Sequence, residues 1–237
     1  MQLFYQPDLF LNTTQILNEE ESRHCAQVLR LKSGDIINLT NGNGSMFTAE
    51  LLEVNHKKCI VSITQEIKYD KPSNYSLHLA IAPTKSMDRM EWFLEKAVEI
   101  GIDEVTPLIC SRSERKEIKT ERLKKVAISA MKQSLKYQLP VINEAISFND
   151  FVTKTKVHQA FICFGNAPAS SNLQTFNTSI NHNLFLIGPE GDFTPKEIIT
   201  ANEKGYKPLN LGTSRLRTET AALHIVSVVN FKKMNSL

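Results

Sequence analysis

The chain has 237 residues, 41% of them hydrophobic and 22% charged, with 28 Lys and Arg against 25 Asp and Glu. These proportions are typical of a globular protein of one or two domains, and they exclude a collagen, a coiled coil and a wholly disordered chain. No apolar run approaches the roughly 20 residues that span a bilayer, and residues 1–11 lack a secretory signal, so we expect a cytoplasmic protein without membrane spans.

Residues 1–70 are predicted to form a small β-barrel domain. Helical spacing over 22–31 is followed by three strand patterns, at 35–39, 46–54 and 59–67, and Asn-Gly-Asn-Gly at 41–44 is a strong tight-turn signal. Small barrels often bind nucleic acid. A barrel that only packs on its neighbour fits the pattern equally well.

A polar stretch over 68–76 predicts a linker, after which strands and helices alternate. This alternation predicts an α/β domain over 71–237 with a mostly parallel sheet. The predicted strands are 77–82, 105–110, 160–164, 184–187 and 209–211. The predicted helices begin at Ser86, Thr120, Thr194 and Thr218, and the helix from Thr120 is expected to extend to about Tyr137. Gly101 is expected to end the first helix, and Thr194-Pro-Lys-Glu is a capping box.

Metal and redox chemistry receive little support from the sequence. The four cysteines lie far apart, with no C-x-x-C pair, and the six histidines form no H-x-x-x-H motif. We therefore expect reduced thiols and no metal site.

A basic cluster lies between Ser111 and Lys136, with nine Lys and Arg against three Glu. Such a surplus favours contact with a polyanion, although a solvated helix face explains it equally well.

Three predicted strand ends carry small and polar residues, at 164–166, 187–193 and 211–221. Ligands of open parallel sheets bind at the carboxyl ends of the strands, so these loops predict a nucleotide-like pocket. Phosphate-loop and dinucleotide motifs are absent from the sequence. Each glycine could instead be required only by its local turn, Glu190 could cap the helix that follows it, and Arg217 and Glu219 could be a surface pair.

Two of these loops carry a family resemblance. I-G-P-E-G-D-F-T-P-K-E over 187–197 and L-G-T-S-R-L-R-T-E-T-A-A over 211–222 closely resemble the RsmE family, 16S ribosomal RNA uracil-N3 methyltransferases of the SPOUT class. The resemblance extends through the chain, over 24–35, 95–102, 112–113 and 133–140. The resemblance implies a PUA-like barrel, a C-terminal domain with a trefoil knot, a homodimer formed through that domain, and S-adenosylmethionine as cofactor. The implied substrate is a uridine in the decoding region of 16S RNA within the small ribosomal subunit.

The resemblance also implies roles for individual residues. The cofactor site would consist of Phe164, Gly165, Ile187, Gly188, Pro189, Glu190, Gly191, Leu211, Gly212, Ser214, Leu216, Arg217 and Thr218. The resemblance implies RNA contacts from His24, Arg30, Arg112 and Lys136, and the basic cluster adds Arg115 and Lys116 as candidates. The chain departs from the family pattern at Asp192, where a second glycine is common, at Ser214-Arg215, and at Lys136, where arginine is common.

Methylation at uracil N3 requires loss of a proton from a poor nucleophile. Arg217 is expected to stabilise the developing anion, and Glu219 is a candidate base, although an acidic residue in a first helical turn is common for other reasons. Because N3 lies on the pairing edge, the base must be flipped out or unpaired.

Three alternatives stay open. A SPOUT enzyme could methylate another base or a ribose hydroxyl, the chain could be a non-catalytic RNA-binding assembly factor, or it could use a different adenine nucleotide. The intact loop motifs count against the assembly factor, and the missing phosphate loop counts against another nucleotide.

Overall fold

The computed structural model describes residues 2–69, 76–155, 159–173 and 182–234. These residues divide into two compact units. The first comprises the N-terminal segment through residue 69 together with Ile128–Leu139, and the second contains the remainder. The predicted linker, and with it the predicted domain boundary, falls largely on residues 70–75, which lie outside the described residues.

The first unit is a curled five-stranded sheet around an apolar core. Its strands are β1 (Leu3–Tyr5), β2 (Thr14–Ile16), β3 (Ile36–Thr40), β4 (Ser45–Glu53) and β5 (Ile60–Lys68), in the order β1-β3-β4-β5-β2. β1 pairs with β3 in parallel and the other pairs are antiparallel. Alternate residues of β4 are buried, as a sheet with one face on a core requires. The three strands predicted from the sequence are confirmed, whereas β1 and β2 are too short to give an alternating pattern.

The first helix differs from the prediction for 22–31. It begins earlier, as α1 (Glu19–Arg23), because the Asn18 side chain accepts the Glu21 N–H at 2.9 Å and caps the helix. A π-helical turn over His24–Val28 follows. Arg30 then adopts a positive φ of 54°, which ends the helical path before residue 31.

Residues 128–139 pack with the curled sheet, which the sequence did not predict. Lys132 Nζ lies 2.5 Å from the buried carboxylate of Glu21. The predicted turn at 41–44 is confirmed, with positive φ at Gly42 and Gly44, and the Gly44 N–H donates to the carbonyl of Tyr137 at 2.8 Å. A backbone hydrogen bond from the turn therefore helps to hold residues 128–139 in the first unit.

The second unit contains a parallel sheet, as predicted. Its strands are β6 (Ser76–Ile81), β7 (Glu104–Ile109), β8 (Val141–Ile142), β9 (Ile146–Ser147), β10 (Gln159–Cys163), β11 (His182–Ile187) and β12 (Lys207–Leu209). The order is β12-β10-β11-β6-β7-β8, with β9 also pairing with β7, and every pairing is parallel. β10 and β11 are buried along almost their whole length, which is typical of a parallel sheet covered on both faces.

The helices of this fold are α2 (Met87–Ile100), α3 (Thr120–Gln133), α4 (Phe148–Lys154), α5 (Pro195–Glu203) and α6 (Thr218–Met234). Gly101 ends α2 with a φ of 134°, and the Thr194–Glu197 capping box at the start of α5 is confirmed. Ser86 occupies the position before α2 but makes no capping hydrogen bond with its side chain. The prediction for α3 extended to residue 137, but the helix ends at Gln133, and Leu135 has a positive φ of 53°.

Three short elements, β8, β9 and α4, were not predicted. The two strands are shorter than a typical strand and the helix is shorter than two turns. Elements this short show no repeating pattern of apolar residues from which they could be predicted. The last strand lies at Lys207–Leu209 rather than 209–211, and it includes Pro208, which an edge strand of the sheet tolerates. Within the described residues, no helix is long and apolar enough to cross a membrane, and no cluster of three His, Cys, Asp or Glu could hold a metal ion.

Candidate active site

The three predicted strand-end loops meet in one cleft at the carboxyl edge of the parallel sheet. β12, β10 and β11 are neighbours, so the segments that follow them emerge side by side. The cleft volume is about 820 Å³, within the range of about 300–1,000 Å³ that is usual for small-molecule sites. Every residue that the sequence predicted for a cofactor site lines this cleft. Other lining residues are Cys163, Asn166, Asp192, Asn210, Thr213, Arg215 and Ala221.

The loop after β11 is tied to two helix N-terminal segments. The hydroxyl of Thr218, at the start of α6, donates to the Gly188 carbonyl at 3.0 Å. The carboxylate of Glu190 accepts the Lys85 N–H, just before α2, at 3.0 Å. Glu190 therefore has a partner in the β6–α2 loop, which the alternative of a simple helix cap did not anticipate.

The far end of the same loop has two further attachments. Arg112 donates to the Gly191 carbonyl at 2.7 Å and to the Phe193 carbonyl at 3.4 Å. Asp192 adopts a positive φ of 60°, and its carboxylate accepts the Gly165 N–H at 3.0 Å. The loop conformation is thus fixed by side chains from several parts of the second unit.

Gly188 lies in a closely packed position. A Cβ atom placed there would lie 3.1 Å from the ring of Phe193, which is buried and packs against Phe148. Gly212 has a φ of 117°, a conformation that other residues rarely adopt, and its Cβ position is open. Close packing therefore favours glycine at the first position, and backbone conformation favours it at the second.

Asn210 joins the loop after β12 to the loop after β10, a role that the sequence analysis missed. Its side-chain amide donates to the Ala167 carbonyl at 2.8 Å, its N–H donates to the Ser171 carbonyl at 2.6 Å, and its side-chain oxygen accepts the Gly212 N–H at 2.8 Å. An Asn two residues before a Gly is the signal that could have indicated this turn.

Cys163 lines the cleft but is unsuited to nucleophilic chemistry. Burial, with a smaller contribution from Asp192, raises the pKa of this thiol well above its ordinary value. The thiol therefore stays protonated, and Cys163 acts as a small apolar lining residue.

A second cleft of about 610 Å³ adjoins the first and shares Arg215, Leu216 and Arg217 with it. Its other lining residues are Asp88, Arg89, Trp92, Glu219 and Thr220. The Glu219 carboxylate is buried, with Oε1 at 3.8 Å from Arg89 Nε, and Oε2 has no hydrogen-bond partner among the described residues. The geometry thus brings the two predicted catalytic residues, Arg217 and Glu219, to one cleft.

The predicted RNA contacts divide between the two units. In the second unit, Arg112 and Lys116 are exposed and Arg115 is half-buried. Arg112 donates to the cleft loop, and Arg115 donates to the Lys85 carbonyl at 2.9 Å. Both arginines therefore have structural partners, and Lys116 is exposed beside them.

In the first unit, the predicted contacts are His24, Arg30 and Lys136. The His24 ring lies 5.5 Å from the ring of Phe4, Arg30 is exposed, and Lys136 is half-buried. A role in RNA binding stays a prediction for all of these residues.

Two family models match the chain. One, described as an RNA methyltransferase domain, covers residues 71–230, and the other, described as an RNA methyltransferase PUA domain, covers residues 17–64. Their order confirms the expected architecture, a PUA-like domain followed by a SPOUT α/β domain.

Named relatives agree with these matches. A ribosomal RNA small subunit methyltransferase E of Mesomycoplasma hyopneumoniae is 32% identical over 70% of this chain and 74% of its own. A crystal structure of a probable rRNA methyltransferase from Porphyromonas gingivalis has 39% identity, covers 100% of both chains and has a TM-score of 0.88. The ribosomal RNA small subunit methyltransferase E of Neisseria gonorrhoeae, solved bound to S-adenosyl methionine, has 28% identity over 98% of each chain, with a TM-score of 0.88. This chain belongs to the RNA methyltransferase family and, within it, to the ribosomal RNA small subunit methyltransferases E.

Proposed function

We propose that this protein transfers a methyl group from S-adenosylmethionine to N3 of a uridine in the decoding region of 16S ribosomal RNA, acting on the small ribosomal subunit. The observation that carries the proposal is the pair of adjoining clefts, which share Arg215, Leu216 and Arg217. A methyl donor in the larger cleft and an acceptor base in the smaller one would meet at the shared wall. Such an arrangement aligns the reactants, which is most of what an in-line displacement requires.

The larger cleft fits the cofactor. A Cβ at Gly212 would meet open space, so a ligand can approach the backbone closely there. Three loops present peptide groups together with apolar side chains such as Ile187 and Leu211, the mixture that adenosine recognition requires. When bound, S-adenosylmethionine supplies an electrophilic methyl group on a sulfonium.

The chain's own residues would prepare the acceptor. Uracil N3 carries a proton, and its loss places negative charge on the flanking carbonyl oxygens. Arg217 bears a permanent positive charge at the shared wall and would stabilise that anion. Glu219 has a buried carboxylate oxygen without a partner among the described residues, so it can accept the N3 proton.

Ribosomal RNA would be held by both units. His24, Arg30 and Lys136 in the first unit, and Arg112, Arg115 and Lys116 in the second, are the proposed contacts. Their charges would bind phosphates, which position an RNA without reading its sequence. A flipped uridine would then be selected by the smaller cleft.

We further propose a cytoplasmic homodimer formed through the C-terminal domain, which contains a trefoil knot. Helix α6 carries large apolar side chains outside its buried face: Phe231 is 63% exposed and Met234 is 68% exposed. Exposed apolar side chains on one helix favour a protein partner. Sedimentation of the wild type and of Phe231→Glu tests the dimer, since the charged variant should be monomeric and still folded.

Two measurements separate this function from its rivals. Calorimetry with S-adenosylmethionine distinguishes an enzyme from a non-catalytic assembly factor, which should show no binding. Methyl transfer to intact small subunits, compared with transfer to protein-free 16S RNA, tests the assembled substrate. Activity on neither RNA, by a protein that binds the cofactor, would contradict the proposed substrate.

A further inference from the structure

Asp192 stands in the larger cleft at a backbone position that most residues avoid. Its φ of 60° lies in the left-handed region, where glycine is the least strained residue and Asp and Asn are tolerated. Its N–H donates to the Pro189 carbonyl at 2.9 Å and closes a tight turn. Asp192 is thus the last residue of the turn and carries a positive φ, and neither feature requires a carboxylate.

Both oxygens of that carboxylate are used, and they join two different loops. Oδ1 accepts the N–H of the next residue, Phe193, at 2.7 Å. Oδ2 accepts the N–H of Gly165 at 3.0 Å. Gly165 belongs to the loop after β10 and Asp192 to the loop after β11, so a single side chain links two walls of the cleft.

Strand pairing in the sheet does not by itself fix the distance between Gly165 and Asp192. The β10–β11 pairing ends with Cys163 opposite Ile187, and neither Gly165 nor Asp192 takes part in it. Gly165 has no side chain, and its added Cβ would meet only Asp192, at 3.6 Å. The loop after β10 therefore depends on its backbone contacts, and the bond to Asp192 is one of them.

We propose that Asp192 is a positioning residue for the cofactor: its carboxylate holds the loop after β10 against the loop after β11, in the arrangement that accepts S-adenosylmethionine. This inference rests on the proposed function of the larger cleft. Loss of this hydrogen bond should weaken cofactor binding by about tenfold, which corresponds to about 1.4 kcal/mol.

The test compares two substitutions that separate the carboxylate from the backbone. Asp192→Gly keeps the positive φ without strain and removes both acceptor oxygens. Asp192→Asn keeps one acceptor oxygen and should recover part of the affinity. Asn12→Gly is the matched control, because Asn12 has a φ of 59° and is exposed in the first unit.

Three readouts are measured on the full-length protein. The dissociation constant for S-adenosylmethionine, by calorimetry, should rise about tenfold in Asp192→Gly, by less in Asp192→Asn, and not in Asn12→Gly. In steady-state assays, Asp192→Gly should raise the KM for the cofactor by a larger factor than it lowers kcat or raises the KM for the subunit. Amide hydrogen exchange at Gly165 without ligand should accelerate in Asp192→Gly.

Wild-type affinity in Asp192→Gly would overturn the inference, as would unchanged exchange at Gly165. If Asp192→Gly raises the KM for both substrates equally and melts at a lower temperature than Asn12→Gly, its role is generally structural. That result would also overturn the inference. Failure of the wild type to bind S-adenosylmethionine would instead refute the proposed function, so the two failures are distinguishable.

Discussion

The carboxylate of Glu197 accepts the backbone N–H of Ser111 at 2.8 Å, across 86 positions of sequence. Its other oxygen accepts the Thr194 N–H at 2.7 Å and closes the capping box of α5. One buried side chain thus joins the start of α5 to the loop after β7. Arg112, the next residue in that loop, reaches the Gly191 carbonyl in the larger cleft. Glu197 therefore holds the loop after β7 in place, and Arg112 in that loop binds the loop after β11.

Replacing Glu197 should lower stability in a pH-dependent way. Burial alone would raise the pKa of this carboxyl, but hydrogen bonds from Ser111 and Thr194 outweigh it and hold the pKa below the ordinary value. Because the folded-state pKa is depressed, the stabilisation is present above the unfolded-state pKa and is lost as the pH falls through the folded-state pKa. Glu197→Gln should cost about 1–3 kcal/mol at neutral pH, measured by urea unfolding.

The difference between wild type and Glu197→Gln should shrink when the unfolding is repeated in acid, below the ordinary pKa of a glutamate. Glu203→Gln, on an exposed position of the same helix, is the matched control and should change little at either pH. A difference that is constant with pH would refute the assigned hydrogen bonds.

Gly188→Val should abolish binding of S-adenosylmethionine. The added side chain meets the Phe193 ring and the wall of the cleft, and overpacking of this kind costs about 1–3 kcal/mol of stability. Calorimetry measures the binding, and circular dichroism checks the fold. Gly212→Val tests the backbone requirement independently, since its Cβ has open space but its φ is unfavourable. Full affinity in both folded variants would refute the cleft as the cofactor site.

Arg112 and Lys116 should have different effects although both belong to the basic cluster. Arg112→Ala removes the donor to Gly191 and should weaken S-adenosylmethionine binding as well as RNA binding. Lys116→Ala should leave the cofactor affinity intact and weaken subunit binding, with the salt slope reduced by about one phosphate contact. Filter binding over a range of salt concentrations measures the slope. An unaltered slope in Lys116→Ala would identify its position as a solvated surface.

Substitutions of the catalytic pair should separate charge stabilisation from proton transfer. Arg217→Ala should lower kcat by about 10²–10³-fold, the usual cost of losing one anion-stabilising donor. Glu219→Gln should lower kcat by about 10²–10⁴-fold, because the general base is lost. A kcat of Glu219→Gln equal to that of the wild type would exclude Glu219 as the proton acceptor.

Long elements of the second unit could be predicted because each carries its own signal. Helix α2 shows one apolar face and a terminal glycine, α5 shows a capping box, and β10 and β11 are short apolar runs bounded by turn residues. The cleft was predictable for the same reason: the loop residues follow those strands directly, and parallel strands place their carboxyl ends together.

The remaining features depend on contacts between distant residues. The pairing of Lys132 with Glu21 joins positions 111 apart, and it places the end of α3 with the first unit. The apolar periodicity of the sequence continues past Gln133, whereas α3 ends there and Leu135 adopts a positive φ of 53°. The attachment of Asp192 to Gly165 likewise has no local signal, since sequence alone shows only an acidic residue at a turn.

The most direct test of the central claim is transfer of tritium from labelled S-adenosylmethionine to small ribosomal subunits that lack base methylation, followed by nucleoside analysis. We expect the label in N3-methyluridine, and we expect none when Gly188→Val replaces the wild type. Label in another base or in a ribose would keep the methyltransferase class and contradict uracil N3 as the target. No transfer to any RNA by a protein that binds the cofactor would contradict the proposed substrate altogether.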